Sequence, residues 1–561
     1  VVDNIALSVK IVEACTGSGK TSWPAGAPFV TDSTNPRDFY LPHNEWRKYQ
    51  LETLLWLTAN SPHRVVSLVR NKSLQSGQYD KEYKFDAHYG RANFRCIHPK
   101  APRYARCSEC IFLDSIEGMR ACPVSQSCPY LVSKRKAMNS KKASLNYAYW
   151  MTANGWRNQY PPQMLFCDEA HNLSEIVLNW VSITITEDER REWNLGKFKT
   201  IDSSKGQGVF IRDTASPVND ALTWLEDAFA VMMNHCLRLE KEMRGDDKSN
   251  GSRKGYLRAT NLRRKIGTVI ESLSQCPHDW FIKSGIDART YRGEAQPGFI
   301  CKPLTARHHA RNYFTGKFDT IMMSATIGDP KTFARELGIK DYEFRAIPNQ
   351  WPAESRPIHV LDCPPMGYKK SESEKDRDAR FDKQADVIAA FIKEYPSDWC
   401  GLVHVTRKRE EVNLTSRLAS RGFDDRVWYV PGKVKSYIPT DDQLRQWNDR
   451  LERVPNSILV TASFGEGYDG LRERLNISAK IPYHITGNPG SYEYAWMKHS
   501  KKRYDQVAAI ILAQQQGRNR RGRECDYDTP DDIRGGNAIA DGSFGRVRDK
   551  LPVGIQESLV E

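Results

Sequence analysis

Short apolar runs rich in β-branched residues recur along the chain, at residues 9–12, 65–69, 165–167, 321–323, 358–361, 402–405 and 458–460. Uninterrupted runs of this length suit strands buried on both faces, and helical patterns lie between many of them. The alternation predicts an α/β fold with mainly parallel sheets. Two segments break the rhythm. Residues 90–135 are cysteine-rich and strand-poor, and residues 174–315 are mostly helical in pattern. Within the second, Leu222, Leu225, Phe229, Met232, Cys236, Leu239 and Met243 recur at spacings of three and four, the stripe of one amphipathic helix. Ser216-Pro217 offers that helix a cap and a preset first turn, and residues 245–251 end it. The methionines on the stripe are expected in a core. A second helix is predicted over residues 256–273. No internal repeat and no long low-complexity segment is evident.

Composition narrows the picture. At 561 residues the length suits three to four domains of about 150 residues each. No run of 18 uncharged apolar residues exists, so no membrane-spanning helix is expected, and residues 1–30 lack a secretory pattern. The net charge of +14 points to a polyanionic partner, nucleic acid first and anionic membrane second. Arg258, Arg263, Arg264 and Lys265 on the second predicted helix either face that partner or form a solvated face. Thirteen cysteines are not a disulfide scaffold in so long a chain, and five of them crowd into residues 96–128. That crowding suggests a metal site in a reducing compartment, hence a cytoplasmic protein. Nothing signals dimerisation, which leaves a monomer as the default.

Two motifs carry chemistry. Ala14-Cys15-Thr16-Gly17-Ser18-Gly19-Lys20-Thr21 follows the first apolar run. Its glycines let backbone N–H groups close around phosphate oxygens, Lys20 reaches the β- and γ-phosphates, and Thr21 offers a hydroxyl to Mg²⁺. The run 164–167 ends in Asp168-Glu169-Ala170-His171. Asp168 supplies a carboxylate for the Mg²⁺, and Glu169 one that orients or deprotonates an attacking water. Together they predict ATP hydrolysis. Coupled motion then needs a second lobe, and its parts lie in the C-terminal half. Residues 461–469, Thr-Ala-Ser-Phe-Gly-Glu-Gly-Tyr-Asp, follow a predicted strand; residues 514–521, Gln-Gln-Gln-Gly-Arg-Asn-Arg-Arg, suit a helix. Arginines aimed at a γ-phosphate stabilise its transition-state charge, whereas the bland alternative is a basic helix facing solvent.

The order of the GSGKT loop, DEAHN, Ser324-Ala325-Thr326, the Gly-Glu-Gly-x-Asp segment and the Gln-x-x-Gly-Arg-x-x-Arg segment resembles a superfamily 2 helicase. Within it the chain is similar to the iron–sulfur branch that includes XPD and DinG. Residues 90–96, Cys128-Pro129-Tyr130, Asn146-Tyr147-Ala148-Tyr149 and residues 540–544 all match that branch, and the compact length resembles its phage or prokaryotic members. The resemblance implies two RecA-like parallel-sheet lobes, with an iron–sulfur cluster domain and a helical arch inserted into the first. On this reading residues 1–89, 136–173 and 316–330 form lobe 1, 90–135 the cluster domain, 174–315 the arch and 331–561 lobe 2. The implied activity is ATP-dependent translocation on single-stranded DNA, 5′→3′, unwinding duplexes in repair, replication or recombination. The same motifs serve equally a DNA-stimulated translocase that displaces proteins or R-loops without processive unwinding. Lys20, Thr21, Asp168, Glu169, Arg518 and Arg521 would be catalytic; Thr16, Gly17, Ser18, Gly19, Asp469 and Gln514 would join Lys20 and Thr21 in holding ATP. Ser324 and Thr326 would link nucleotide state to lobe closure. Residues 70–75 and 404–407 resemble the segments that grip nucleic acid, single strands and duplex junctions being the implied partners. The pattern departs in one place: the family's Arg-x-x-Gln precedes the phosphate loop, whereas Arg47 and Gln50 follow it, by accident or by transposition.

The clustered cysteines run Cys96-x10-Cys107-x2-Cys110-x11-Cys122-x5-Cys128. Four thiolates serve a zinc ion or a 4Fe–4S cluster. Spacing alone favours zinc; the flanks matching the family imply iron–sulfur. Cys96, Cys122 and Cys128 match the DinG-like version, with Cys107 and Cys110 competing for the fourth place, whereas an XPD-like set uses Cys107 and Cys110 together and drops Cys122. The cysteines at 15, 167, 236, 276, 301, 363, 400 and 525 are expected as small buried residues.

Overall fold

The structure, a computed structural model, describes residues 9–14, 64–70, 75–82, 84–99, 106–107, 110, 122–153, 159–198, 209–211, 215–244, 250–285, 298–315, 318–347, 353–367, 371–431, 439–464, 473–484, 491–517 and 535–560. The chain enters a first sheet with β1 (Val9–Ala14), β2 (Val65–Val69), β3 (Asp86–His88), β4 (Lys142–Asn146) and β5 (Met164–Asp168). It leaves for β6 (Ile183–Thr186), β7 (Val209–Ile211), β8 (Trp280–Gly285) and β9 (Gly298–Pro303), then returns with β10 (Asp319–Ser324) and β11 (Glu343–Ile347). The first sheet is parallel throughout, in the order β11-β1-β10-β5-β2-β4-β3. β2 and β5 are buried along their whole length, which is why their sequences read as unbroken apolar runs. Ile11, Val66, Leu68, Leu165, Met322, Trp150 and Phe314 build the core beneath.

A second parallel sheet follows, from β12 (Ile358–Val360), β13 (Gly401–His404), β14 (Val427–Trp428), β15 (Ile458–Thr461), β16 (Leu475–Ser478), β17 (Gly536–Ile539) and β18 (Leu559–Val560). Its order is β14-β15-β13-β16-β17-β12-β18. Two seven-stranded parallel sheets with helices packed against them make two RecA-like lobes; the apolar rhythm anticipated the parallel α/β layers, and the family resemblance the two lobes. β11 lies beyond residue 330, where lobe 2 was expected to begin, yet pairs with β1 and so belongs to the first sheet.

The segment after β5 is less purely helical than its pattern. It holds a four-stranded antiparallel sheet, β6-β9-β8-β7, beside a long helical hairpin. β9 alternates half-buried and buried positions, a period-2 signal too short to stand out in a basic, helix-rich stretch. Pro129–Asn139 is α1, Ala215–Arg244 is α2 and Asn250–Gln275 is α3, α2 and α3 forming the hairpin. The predicted stripe holds: Leu225, Met232, Cys236 and Leu239 of α2 pack on Ala259, Ile266 and Val269 of α3. Arg258 is not simply solvated, because both its terminal nitrogens bond the Glu192 carboxylate, at 2.6 and 2.5 Å. Lobe 2 also touches this insert: the Tyr492 hydroxyl donates to the Pro303 carbonyl (2.9 Å), and His499 Nε2 meets Asp279 Oδ1 at 3.0 Å.

Candidate functional site

Parallel registers align the C-terminal ends of three adjacent central strands. Glu13 of β1 stands opposite Ser324 of β10, and Met323 of β10 opposite Asp168 of β5. Glu13, Asp168 and Ser324 thus share one edge of the sheet, the edge at which open α/β sheets bind ligands. Thr16, Gly17, Ser18, Gly19, Lys20 and Thr21 themselves lie outside the described residues, as do Arg47, Gln50, Asp469, Arg518 and Arg521.

Asp168 is buried, and three groups hold it. Its Oδ1 accepts from the Glu169 N–H (2.9 Å), its Oδ2 from the Tyr79 hydroxyl (3.2 Å), and its carbonyl from the Tyr147 hydroxyl (2.6 Å). Burial pushes the Tyr147 phenol well above its ordinary pKa, which keeps it a proton donor. Glu169 adopts the left-handed conformation, φ 52° and ψ 44°. For a residue with a Cβ that conformation costs roughly 1–2 kcal/mol. It turns the chain sharply off the strand and leaves the Glu169 carboxylate partly exposed beside Ser324.

A directed hydrogen-bond chain then crosses between the lobes. Helix Pro330–Glu336 is α4 and Lys501–Gln516 is α5. Gln514, near the end of α5 in lobe 2, places its amide nitrogen 2.7 Å from His171 Nε2. His171 Nδ1 is 2.7 Å from the Ser324 hydroxyl, which reaches Glu169 Oε2 at 3.5 Å. One proton arrangement satisfies all three: Gln514 donates to Nε2, Nδ1–H donates to Ser324, and Ser324 donates to Glu169. The Asn172 amide also approaches Nε2 at 2.7 Å, and the Thr326 N–H donates to the Ser324 oxygen (3.2 Å). Gln514 Oε1 is buried without a partner among the described residues.

Next to this site lies an open cleft of about 480 Å³, lined by Arg70, Tyr89, Asn93, Tyr147, Asn179 and Trp180 among others. Two of its walls lead inward. Arg70 Nη1 donates to Asn172 Oδ1 (2.9 Å), next to His171, and Tyr147 is the residue bound to the Asp168 carbonyl. In lobe 2, His404 is buried and bonded to Asn476 Oδ1 at 2.9 Å, while Thr406 and Arg407 are half-buried, so the predicted grip there narrows to the latter two. Tyr79 was not singled out by any motif; its only signal is an aromatic residue shortly after the strand that ends at Val69.

Cys107 is buried, its thiol donates to the Arg95 carbonyl at 3.8 Å, and Cys128, Cys96 and Cys110 lie close enough to act on it. Burial first and those neighbouring sulfurs next push its pKa up to about 12. Phe94, Tyr130 and Tyr149 pack around these cysteines, a core of few residues. Cys122 is buried but is not among the groups acting on Cys107. Among the described residues no three His, Cys, Asp or Glu side chains are arranged to hold a metal ion. Cys107, Cys110 and Cys128 nevertheless share that small core, thiols of the kind a metal or iron–sulfur group takes but not in a metal-binding arrangement. Of the remaining cysteines, 167, 236, 301, 363 and 400 are buried as expected, 276 is half-buried, and 15 and 525 lie outside the described residues.

No described helix is long and apolar enough to cross a membrane. No protein-family model matches the chain. No curated protein matches it either. Among solved structures it is similar to an XPD helicase, with a TM-score of 0.49 and 13% identity over 91% of this chain and 89% of that one. An apo form of XPD gives 0.47 and 12% over 95% and 92%. S. cerevisiae Dbp5 bound to RNA and ADP BeF3 gives 0.34 and 10% over 96% and 79%.

Proposed function

We propose that the chain is an ATP-dependent helicase that moves on single-stranded DNA and separates duplexes. The observation that carries the reading is the hydrogen-bond chain from Gln514 through His171 and Ser324 to Glu169, because it joins a carboxylate at one sheet's catalytic edge to a helix of the other lobe. In this reading Asp168 would hold Mg²⁺, Glu169 would orient water, Lys20 and Thr21 would bind the phosphates, and Arg518 and Arg521 would stabilise the γ-phosphate charge. Any shift of α5 relative to lobe 1 disturbs Gln514–His171 and, through Ser324, the position of Glu169. Hydrolysis then proceeds only when the lobes are correctly closed.

Nucleic acid enters this circuit at the cleft. A strand lying against Arg70, Tyr89 and Trp180 meets a cation and aromatic faces, which bind phosphates and stack on bases without reading them. Arg70 and Tyr147 connect that strand to Asn172 and Asp168, giving a physical route by which nucleic acid stimulates turnover. Asn93 puts the cysteine-rich segment on the rim of the same cleft. In our reading Cys96, Cys107, Cys110 and Cys128 hold a 4Fe–4S cluster that keeps this weakly cored segment rigid as a wedge. Cys122, grouped with the firmest ligands by its spacing, drops out of that set. Residues 174–315 form an arch over the strand, movement is 5′→3′, and the protein acts as a cytoplasmic, phage or prokaryotic DNA-processing enzyme.

The test is ATP-driven strand separation by anaerobically purified protein on duplexes with a 5′ or a 3′ single-stranded tail. Unwinding only from the 5′ tail is the expected result. DNA-stimulated turnover with no unwinding from either tail replaces the helicase by a translocase that displaces bound proteins. Turnover indifferent to DNA overturns the coupling through Arg70 and Tyr147.

A further inference from the structure

Glu13 sits in β1, immediately before the glycine-rich loop, and is buried. A carboxylate has no reason to be in the middle of a parallel sheet unless both oxygens are used. Here they are, and by different parts of the molecule. Oε2 accepts from the Gly328 N–H at 2.8 Å, and Oε1 from the Val553 N–H at 3.1 Å. Gly328 follows Ser324 and Thr326 in lobe 1; Val553 begins a short helical turn, Val553–Gln556, near the end of lobe 2.

The turn 327–329 is gripped from its other side as well. Gln506 of α5 donates to the Ile327 and Asp329 carbonyls, both at 3.0 Å. Gly328 has φ +70°, and a Cβ there would lie 2.7 Å from the Lys550 carbonyl. Only glycine lets lobe 2 approach so closely. Thus donors of the turn face Glu13, its acceptors face Gln506, and lobe 2 closes the circuit through Val553.

We propose that Glu13 is a positioning residue that registers lobe 2 on the strand feeding the phosphate loop, a second inter-lobe contact distinct from Gln514–His171. Its place in a motor rests on the function proposed above; its bridging of the lobes does not. Burial raises its pKa from 4.5 to about 7, opposed by the Gly328, Val553 and Ile327 N–H groups. The charged side chains on the surrounding elements are engaged elsewhere. Lys550 reaches the Arg546 carbonyl, Arg356 the Gly554 carbonyl and Glu557, and Asp329 caps α4. Ionised, Glu13 accepts from both lobes; protonated, it offers an O–H to one of two N–H groups and loses that bond.

Two variants test this. Glu13→Gln keeps the volume but replaces one acceptor by a donor. Val553→Pro removes only the lobe 2 donor, and the position tolerates it: Val553 is the first residue of its turn, and the preceding Pro552 has φ −52° and ψ 143°. Hydrogen exchange on the full chain without nucleotide should show the Val553 amide losing protection by about tenfold or more in Glu13→Gln at pH 8, as expected for a hydrogen bond to a charged acceptor. In the wild type that protection, corrected for intrinsic exchange, should rise as the pH passes about 7 and stay flat in the variant. ATP turnover should fall in both variants, and the double variant should be no slower than the slower single one. Unchanged Val553 protection in Glu13→Gln, or turnover losses that multiply, overturns the proposal. A wild type without turnover overturns the proposed function instead, and the exchange data still decide the bridge. If Glu13→Gln does not fold, the wild-type pH series and Val553→Pro carry the test.

Discussion

At the scale of single residues, the acidic motif supplies the chemistry and its surroundings supply the aim. Asp168 is held at three atoms, and Glu169 spends backbone strain to bring its carboxylate beside Ser324 and His171. Ser324 is one of two links from His171 to Glu169: its hydroxyl accepts from His171 and donates to Glu169, while His171 Nδ1 itself lies 3.4 Å from Glu169 Oε2. Ser324→Ala and Gln514→Ala should each slow DNA-stimulated ATP turnover, and their effects should be strongly non-additive. Residues acting in one network show coupling of about 0.5–3 kcal/mol, whereas independent sites add. A double-mutant cycle on turnover checks this; additive losses would mean that Gln514 and Ser324 act separately.

At the scale of elements, the two lobes and the hairpin of α2 and α3 rest on extensive apolar cores, whereas the described residues of the cysteine-rich segment share a small one. A core of that size leaves room for another source of rigidity, which the proposed thiolate-bound cluster would supply. Cys128→Ser should lose iron and unwinding together while most DNA-stimulated ATPase remains, because Asp168, Glu169 and His171 lie on the other side of β4 and β2 from it. Iron content, unwinding and turnover measured on one preparation separate these outcomes. Unwinding that persists without iron removes the wedge from the mechanism. Cys122→Ser should retain the iron, in contrast to Cys107→Ser and Cys110→Ser.

At the scale of the whole molecule, the lobes meet through buried polar contacts, so their closure is sensitive to protonation. The unfolded chain releases the Glu13 proton near pH 4.5, whereas the folded chain keeps it to about pH 7. The folded state thus binds more protons in that window, and the contribution of this group to stability is present below about pH 4.5 and lost as the pH rises to about 7. Denaturant midpoints across pH 4.5–8 should show the wild type losing stability relative to Glu13→Gln over this range. An unchanging difference between the two would place the Glu13 proton elsewhere. The same ionisation that costs stability completes the bridge to Val553, so rigidity and coupling between the lobes pull in opposite directions.

β2, β5, β13 and β15 were readable along the chain because each is buried along its whole length and reads as an apolar run, whereas β3, β4 and β11, with polar residues and exposed or half-buried positions, gave no such signature. The stripe of α2 was readable for the same reason at a period of 3.6. The acidic motif was readable because Asp168 must follow β5 directly to reach a ligand at the sheet edge. Contacts between distant segments leave no such trace. Gln514 to His171 spans 343 positions, and Val553 to Glu13 spans 540. Nothing in the spacing of Cys107 and Cys110 told that both share one small core with Cys128. Tyr79 looked like any aromatic residue until the fold set its hydroxyl on Asp168. Local pattern determined which elements form, because burial acts on each residue in turn. Tertiary structure alone decided which polar groups meet, because a hydrogen bond needs two partners that the chain brings together only on folding.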